Sequence, residues 1–513
     1  MYYGVESIGE SAFYGCINLT SIILCRTLTS IGDDAFYGCN KLEGLIKDGL
    51  NYIGNNYGSP YCEYLYLLNV KDKKITTATV SEECKFIASK AFQNCDSLES
   101  IIIPDSVTNI GEYVFEYCNS LKTIYCEAES QPSDWDSLWK ASCDAEVVWG
   151  YKKGTEGLEY ILINNDNEYE VSVYAGISTE VVIPSMYNGK PVTSIGDCAF
   201  YGCMSLTNII ISANVTDIEA NAFSGCDSLT SIIFAENSQL KSIGVSTFYE
   251  CTRLTSITIP ASVTSVDNSA FRYCSSLTSV TFRENSQLTS ISDFAFSDCA
   301  SLTSIIFAEN SQLKSIGVSA FYECTRLTNI EIPESVTNIE KGAFSGCDSL
   351  TNMEIPASVS YIGYQAFYNC ESLQNITVAP SNANYKDIDG NLYSKIGKSL
   401  MQYAIGKIDS SFTIPSSVTY IGGYAFYNCK SLISIEIPSS VTYIDDGAFY
   451  GCNLLENIEI PSNVTYIGGY AFYNCSKLTI YCEAESNPED WSSSWNPSKR
   501  PVFWGYKAED IEE

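Results

Sequence analysis

Fifteen times along this chain a phenylalanine is followed three residues later by a cysteine, and most successive pairs lie 23 or 25 residues apart. The pairs run from Phe13/Cys16 to Phe472/Cys475, and alanine precedes thirteen of the phenylalanines. The fullest unit follows V-T-x-I-x-x-x-A-F-x-x-C-x-S-L-T-x-I-x-I-P, as in Val336 to Pro356, where Met353 stands at one of the isoleucine positions. Its apolar positions recur once per unit, not at one continuous helical period. Each unit is therefore one coil of a solenoid, and each must bury its apolar residues against its neighbours. A solenoid grows in one dimension, so 513 residues count coils and not globular domains.

Composition removes whole classes of function. The chain has no histidine, which excludes Ser-His-Asp and Cys-His catalysis, histidine zinc sites and a histidine pH switch. Lysine plus arginine total 29 against 61 aspartate plus glutamate, and a formal charge of −32 repels phosphate backbones. Nucleic acid is thus not expected as a partner. No stretch approaches the roughly 18 apolar residues of a membrane span, and no signal segment precedes the first repeat. A solenoid that starts in mid-coil would expose a raw apolar end, so the chain is expected to be a fragment that begins upstream.

All six tryptophans fall in two matching segments, residues 126–151 and 482–506. Each follows the last regular coil of an array, where an apolar end needs cover, so each is read as a C-terminal cap; a sugar-stacking platform is the alternative. The expected organisation is a first module over 1–152, a linker over 153–157, a second module over 158–507 and a tail over 508–513. Residues 158–191, with alternating patterning, form a strand cap at the start of the second module. Two gaps break the period, from Phe36 to Phe92 and from Phe367 to Phe426. The second holds Asp387 to Lys398, where alternating runs flank a glycine turn and predict a hairpin. Asp387 and Asp389 do not match a calcium loop, since glycine comes fourth and no glutamate follows at position 12.

Within one coil, Leu350, Met353 and Ile355 point inward while Asn352 and Glu354 point out, the pattern of a half-buried strand. Pro356 ends it. Val359 and Ile362 start the return path, and Ala366, Phe367 and Cys370 form a short helical turn with phenylalanine as core filler. The fold class is a mainly β repeat solenoid of leucine-rich-repeat type, with one continuous parallel sheet on one face and a short helical turn per coil on the other.

The consensus A-F-x-x-C-x-S-L-T-x-I-x-I-P with V-T-x-I-G resembles the BspA-like leucine-rich repeat family. That resemblance implies surface proteins, with members acting as adhesins for host matrix proteins or other cells, and it brings no catalytic residues. Of 22 cysteines, fifteen are motif cysteines whose stacked Cβ atoms would sit ~4.8 Å apart, wide of the ~3.8 Å mean of a disulfide. They are read as buried free thiols, with scattered disulfides or a metal site as alternatives; the other seven include Cys62 and make no C-x-x-C pair. Tyrosines in register, Tyr420/Tyr443/Tyr466 and Tyr427/Tyr450/Tyr473, predict ladders on the non-sheet side, either lateral packing or an aromatic contact surface.

The outward strand position passes from apolar to acidic along the second module: Ile210, Ile233, Thr258, Thr281 and Ile306, then Glu331, Glu354, Glu436 and Glu459. Beside it runs a row of small polar residues that includes Asn329, Asn352, Asn375 and Asn457. Those residues are the candidate binding face, with a merely solvated charge row as the alternative for the glutamates. The expected function is non-enzymatic: a cell-surface or secreted adhesion protein that needs no cofactor and no metal and binds a protein or glycoprotein through this face. A structural spacer presenting a domain missing from this chain is the rival reading.

Overall fold

The computed structural model describes residues 4–25, 27–54, 64–128, 130–151, 153–188 and 190–507; Cys62 and the tail 508–513 lie outside them. The chain forms two compact units, Met1–Lys153 and Gly154–Glu513. In each, one coil has three sides. A strand of up to four residues, such as Asn208–Ile211, alternates outward and buried residues. A two-residue strand, such as Asp217–Ile218, follows on the next side. The A-F-x-x-C segment then returns as a run of tight turns.

The short strands make the longest sheet. In the second unit an antiparallel pair, Leu158–Ile163 and Glu168–Tyr174, leads into Lys190–Ile195, after which seven two-residue strands follow in parallel down to Tyr361–Ile362. Their inward residue keeps one register, Ile195↔Ile218↔Ile243↔Val266↔Ile291. One fully buried apolar residue per coil suffices to hold that register, because a slip by one would turn every isoleucine to solvent.

The longer strands do not form the single continuous sheet expected. In the second unit they divide into separate sheets of three, three, two and five strands, and residues 328–332 carry no strand. Coil length alone does not set the breaks, since of the 25-residue steps 279→304 is paired while 231→256 and 304→329 are not.

The expected helical turn is likewise absent, and there is no helix among the described residues. Backbone donors explain this. In the coil of Phe200, every second N–H closes a turn within the coil, Ala199 to Gly196 and Tyr201 to Cys198, and those between leave it. Cys198, Phe200 and Gly202 donate to the carbonyls of Ala220, Ala222 and Ser224 on the next coil at 2.7–3.1 Å. A helix would direct every donor along its own chain. The departing donors require left-handed residues on both sides of the phenylalanine, φ +58° at Cys198 and +66° at Gly202, and the pattern recurs at Asn221/Gly225, Ser319/Glu323 and Gly342/Gly346. Turn residues thus add a third ladder of intercoil hydrogen bonds.

The core fills the triangle. Phenylalanine rings stack from coil to coil, Phe200 to Phe223 at 4.9 Å and Phe271 to Phe296 to Phe321 at 5.2 and 5.5 Å, with planes 18° to 1° apart. Where a regular coil comes directly before it, the motif thiol donates to the phenylalanine carbonyl of that coil: Cys274 to Phe248 at 3.1 Å, Cys299 to Phe271 at 3.1 Å, Cys347 to Phe321 at 3.2 Å. That carbonyl also accepts the N–H of its own coil's cysteine, so both lone pairs are used. No disulfide joins the described cysteines. Burial pushes the thiols of Cys226 and Cys370 up to about 12.

Tryptophans end both stacks. Trp139 lies edge-on to Phe115 at 6.0 Å and Trp495 to Phe472 at 5.8 Å. Trp135 and Trp491 are 4 % exposed, and their indole N–H groups donate to the carbonyls of Val107 and Val464. The backbone carbonyls of Trp139 and Trp495 accept from the last coil's Val114 and Phe472, so the segment continues the ladder for one more step. Trp135 and Trp491, buried and hydrogen-bonded, offer no stacking face to a sugar, while Trp149 and Trp504 are half-buried.

Three outcomes follow from this packing. Phe344→Ala opens a cavity in the ring stack and is expected to cost ~3–5 kcal/mol in denaturant unfolding. Ser319→Gly, at φ +51°, relieves a left-handed serine and is expected to raise stability by about 0.5–1 kcal/mol. In thiol labelling of the native protein the exposed Cys16 and Cys198 react quickly. Buried motif cysteines such as Cys299 should label only on unfolding; fast labelling of Cys299 would contradict the ladder.

Candidate binding face

The long strands place the candidate residues by simple alternation, with isoleucine, valine or phenylalanine inward and the position between them outward. Ile233 and Ile306 are 50 % and 54 % exposed, while Ile210 and Thr281 are half-buried. Thr258, Asn329, Glu331, Asn352, Glu354, Glu436, Asn457 and Glu459 are exposed, and Asn375 is half-buried.

Strand pairing brings some of these together and leaves others apart. Ile210 is in register with Ile233, Thr258 with Thr281 and Ile306, and Asn352 with Asn375. The breaks fall between Ile233 and Thr258 and on both sides of Glu331, so Glu331 and Glu354 are not strand partners. Asn375 is partly covered by the hairpin of Tyr385–Ile388 and Asn391–Ser394: the next residue, Ile376, donates to the Gly390 carbonyl at 2.9 Å. The predicted hairpin is present, with its turn at Asp389 and Gly390, and Asp387 caps the N–H of Val378 at 3.0 Å.

The acidic pair of the last sheet is held differently. Strands Ser434–Glu436 and Asn457–Ile460 pair through Ser434↔Asn457 and Ile435↔Ile458, which sets Glu436 beside Glu459. Two like charges at that spacing repel, and each carboxylate has a hydroxyl donor on its far side. Thr413 donates to Glu436 at 3.0 Å and Tyr506 to Glu459 at 3.3 Å. None of the four candidate glutamates is in an ion pair among the described residues.

The row expected from the sequence ends at Glu459, but the sheet continues it. Glu459 is in register with Tyr481, and Tyr481 with Phe503. Tyr481 stacks on Phe503 at 5.3 Å and meets Tyr506 with tilted rings at 4.9 Å, and Phe503 is 54 % exposed. Glu436, Glu459, Tyr481 and Phe503 thus form one outward line across four strands. The signal was present in T-I-Y-C, which aligns with N-I-E-I and puts Tyr481 at the outward position.

The tyrosine ladders form. Tyr420, Tyr443 and Tyr466 stack at 5.0 and 4.4 Å, and Tyr427, Tyr450 and Tyr473 at 5.1 and 5.0 Å. The first ladder stands on the two-residue strands, which the expectation of a single sheet had not allowed for.

Comparison with known proteins accords with this architecture. The sequence profile of the BspA type leucine rich repeat region (6 copies) matches residues 2–70, 65–134, 193–313, 289–408 and 394–487. A solved leucine rich cell surface protein from Faecalibacterium prausnitzii A2-165 is 30 % identical, over 70 % of this chain and 96 % of its own, with a TM-score of 0.52. A leucine-rich repeat protein from Eubacterium ventriosum ATCC 27560 is 25 % identical, over 65 % of this chain and 73 % of its own, with a TM-score of 0.39. One from Bacteroides ovatus ATCC 8483 is 23 % identical, over 85 % and 99 %, with a TM-score of 0.36. No curated protein matches the sequence. With its repeat matched across most of its length and its coils stacked as that repeat requires, this chain belongs to the BspA-type leucine-rich repeat family.

Proposed function

We propose that the chain is a non-enzymatic adhesion protein, cell-surface or secreted, that binds a protein or glycoprotein through the long-strand side of its second unit. The observation that carries this reading is the outward line Glu436, Glu459, Tyr481 and Phe503 on the five-stranded sheet that ends at Val502–Trp504. The exposed ring of Phe503 and the half-buried ring of Tyr481 beside carboxylates supply what macromolecular interfaces use most, a large rigid contact area with charges that select the partner. The glutamates favour a partner with a basic patch, and the exposed Ile233 and Ile306 add apolar contact further along the same side. The cell-surface relative from Faecalibacterium prausnitzii supports an extracellular setting. No helix among the described residues is long and apolar enough to cross a membrane.

The test is saturable binding of the protein to immobilised matrix glycoproteins, mucins and whole cells, repeated with Glu436→Lys/Glu459→Lys and with Phe503→Ala. Each variant is expected to weaken binding at least tenfold, about 1.4 kcal/mol or more, and the charge variant should also flatten its salt dependence. Binding that is absent for wild type, or that neither variant alters, would leave the chain a spacer that holds some other domain away from the cell.

A further inference from the structure

The turn side of the second unit has a gap. Each coil there directs three N–H groups at the next, as when Gly342, Phe344 and Gly346 donate to the carbonyls of Tyr364, Ala366 and Tyr368 at 2.9–3.1 Å. The following coil holds the same three donors, on Gln365, Phe367 and Asn369, and none of them has a hydrogen-bond partner among the described residues. The segment after it spends its residues on the hairpin and lacks an A-F-x-x-C turn. The regular pattern resumes only at Tyr424, Phe426 and Asn428, which donate to Asp446, Ala448 and Tyr450.

Side chains bridge the break where backbone does not. Tyr368 meets Tyr427 at 4.0 Å, Tyr364 meets Tyr424 at 5.9 Å, Asn428 donates to Asn369 at 3.1 Å and Lys430 pairs with Glu371 at 2.7 Å. Beside this bridge lies a cleft of about 240 Å³, lined among others by Tyr364, Gln365, Phe367, Tyr420, Gly423 and Asp445. The first unit has its own version after the coil of Phe36, where the hairpin of Leu45–Lys47 and Leu50–Ile53 follows, the N–H groups of Asp34, Phe36 and Gly38 have no partner among the described residues, and a cleft of about 230 Å³ opens. Tyr37 and Tyr66 line that one too, but together with the cations of Lys71 and Lys90. A missing rung recurs wherever a hairpin interrupts the array, and its lining differs between the units.

The lining in the second unit selects a chemistry. The free N–H groups of Gln365 and Phe367 call for an acceptor, and an apolar ligand would leave them unpaired at a cost. Asp445 calls for a donor: its Oδ2 accepts from the Tyr420 hydroxyl and its Oδ1 from the N–H of Asp446, which holds the carboxylate in place with lone pairs to spare. That charge, in a chain of net −32, disfavours a phosphate or carboxylate ligand. An added peptide strand needs free carbonyls opposite the donors, yet the Ala425 carbonyl already accepts from the Tyr403 N–H and the Gln402 side chain. The Tyr364 ring is 44 % exposed, and a Cβ on Gly423 would come within 2.8 Å of it, so the ring lies over a position where only hydrogen stands. We propose that this cleft binds a neutral sugar ring of a glycan, stacked on Tyr364, with its hydroxyls donating to Asp445 and an oxygen accepting from the N–H groups of Gln365 and Phe367.

Saturation-transfer NMR and calorimetry on the full chain, with chitotriose, lactose and maltotriose as probes and a neutral tripeptide as control, test this. At least one saccharide is expected to bind. Tyr364→Ala should weaken it about tenfold through loss of the stacking face. Gly423→Leu should abolish binding by driving the Tyr364 ring across the cleft. Asp445→Asn, which keeps the side-chain shape, gives the same reading if Gly423→Leu shifts the thermal midpoint. Binding of no saccharide, binding of the tripeptide alone, or saccharide binding untouched by Tyr364→Ala and Asp445→Asn overturns the proposal. The outcome is separate from macromolecular binding on the long-strand side, whose variants touch none of these residues.

Discussion

The alternation of backbone donors along the turn side organises this molecule. Every second N–H between Cys198 and Gly202 closes a turn at home, and those between bond to the next coil. A buried donor left without an acceptor costs roughly 1–3 kcal/mol, so each coil needs the one after it. The left-handed residues that aim those donors are unfavourable in isolation and hold only because the neighbour completes them. Stability in such an array is a nearest-neighbour property, and its ends and interruptions need their own solutions.

Two such solutions are visible. At the ends, the tryptophan segments supply the next acceptor from the carbonyls of Trp139 and Trp495 while their rings close the phenylalanine stack. Inside the second unit, a hairpin replaces a coil, and Tyr403 restarts the ring stack at 5.0 Å from Phe426. The hairpin supplies no equivalent for the donors of Gln365, Phe367 and Asn369. An interruption of a repeat is thus the place where backbone polarity becomes free for a ligand, whereas the regular coils spend theirs on each other. The long-strand side works in another way, since its backbone is largely paired and only the outward side chains are left to face a partner.

The choice of cysteine at the motif position follows from the same accounting. The site is fully buried in most coils, which excludes a charged or large polar group. It faces a phenylalanine carbonyl of the preceding coil that has a lone pair to spare, which favours a small side chain able to donate weakly. A thiol meets both conditions. The buried motif cysteines therefore say more about core packing than about disulfide chemistry.

What the sequence determined by itself is what must repeat. Phe, Cys and Leu recur once per coil, and Ile at fixed places within it, because each such position is buried in the same way, so the solenoid, its core, the matching tryptophan segments and the hairpin after Asp387 were legible in spacing alone. The outward row of Ile210 through Glu459 was legible too, by strand alternation, and its extension to Tyr481 and Phe503 needed only the alignment of one more coil. Three things were decided by the tertiary structure. The A-F-x-x-C segment is a ladder of turns and not a helix, the short strands and not the long ones make the longest sheet, and the donors of Gln365 and Phe367 are left free. Each depends on a hydrogen-bond partner a full coil away, and local side-chain preference carries no information about whether that partner is present.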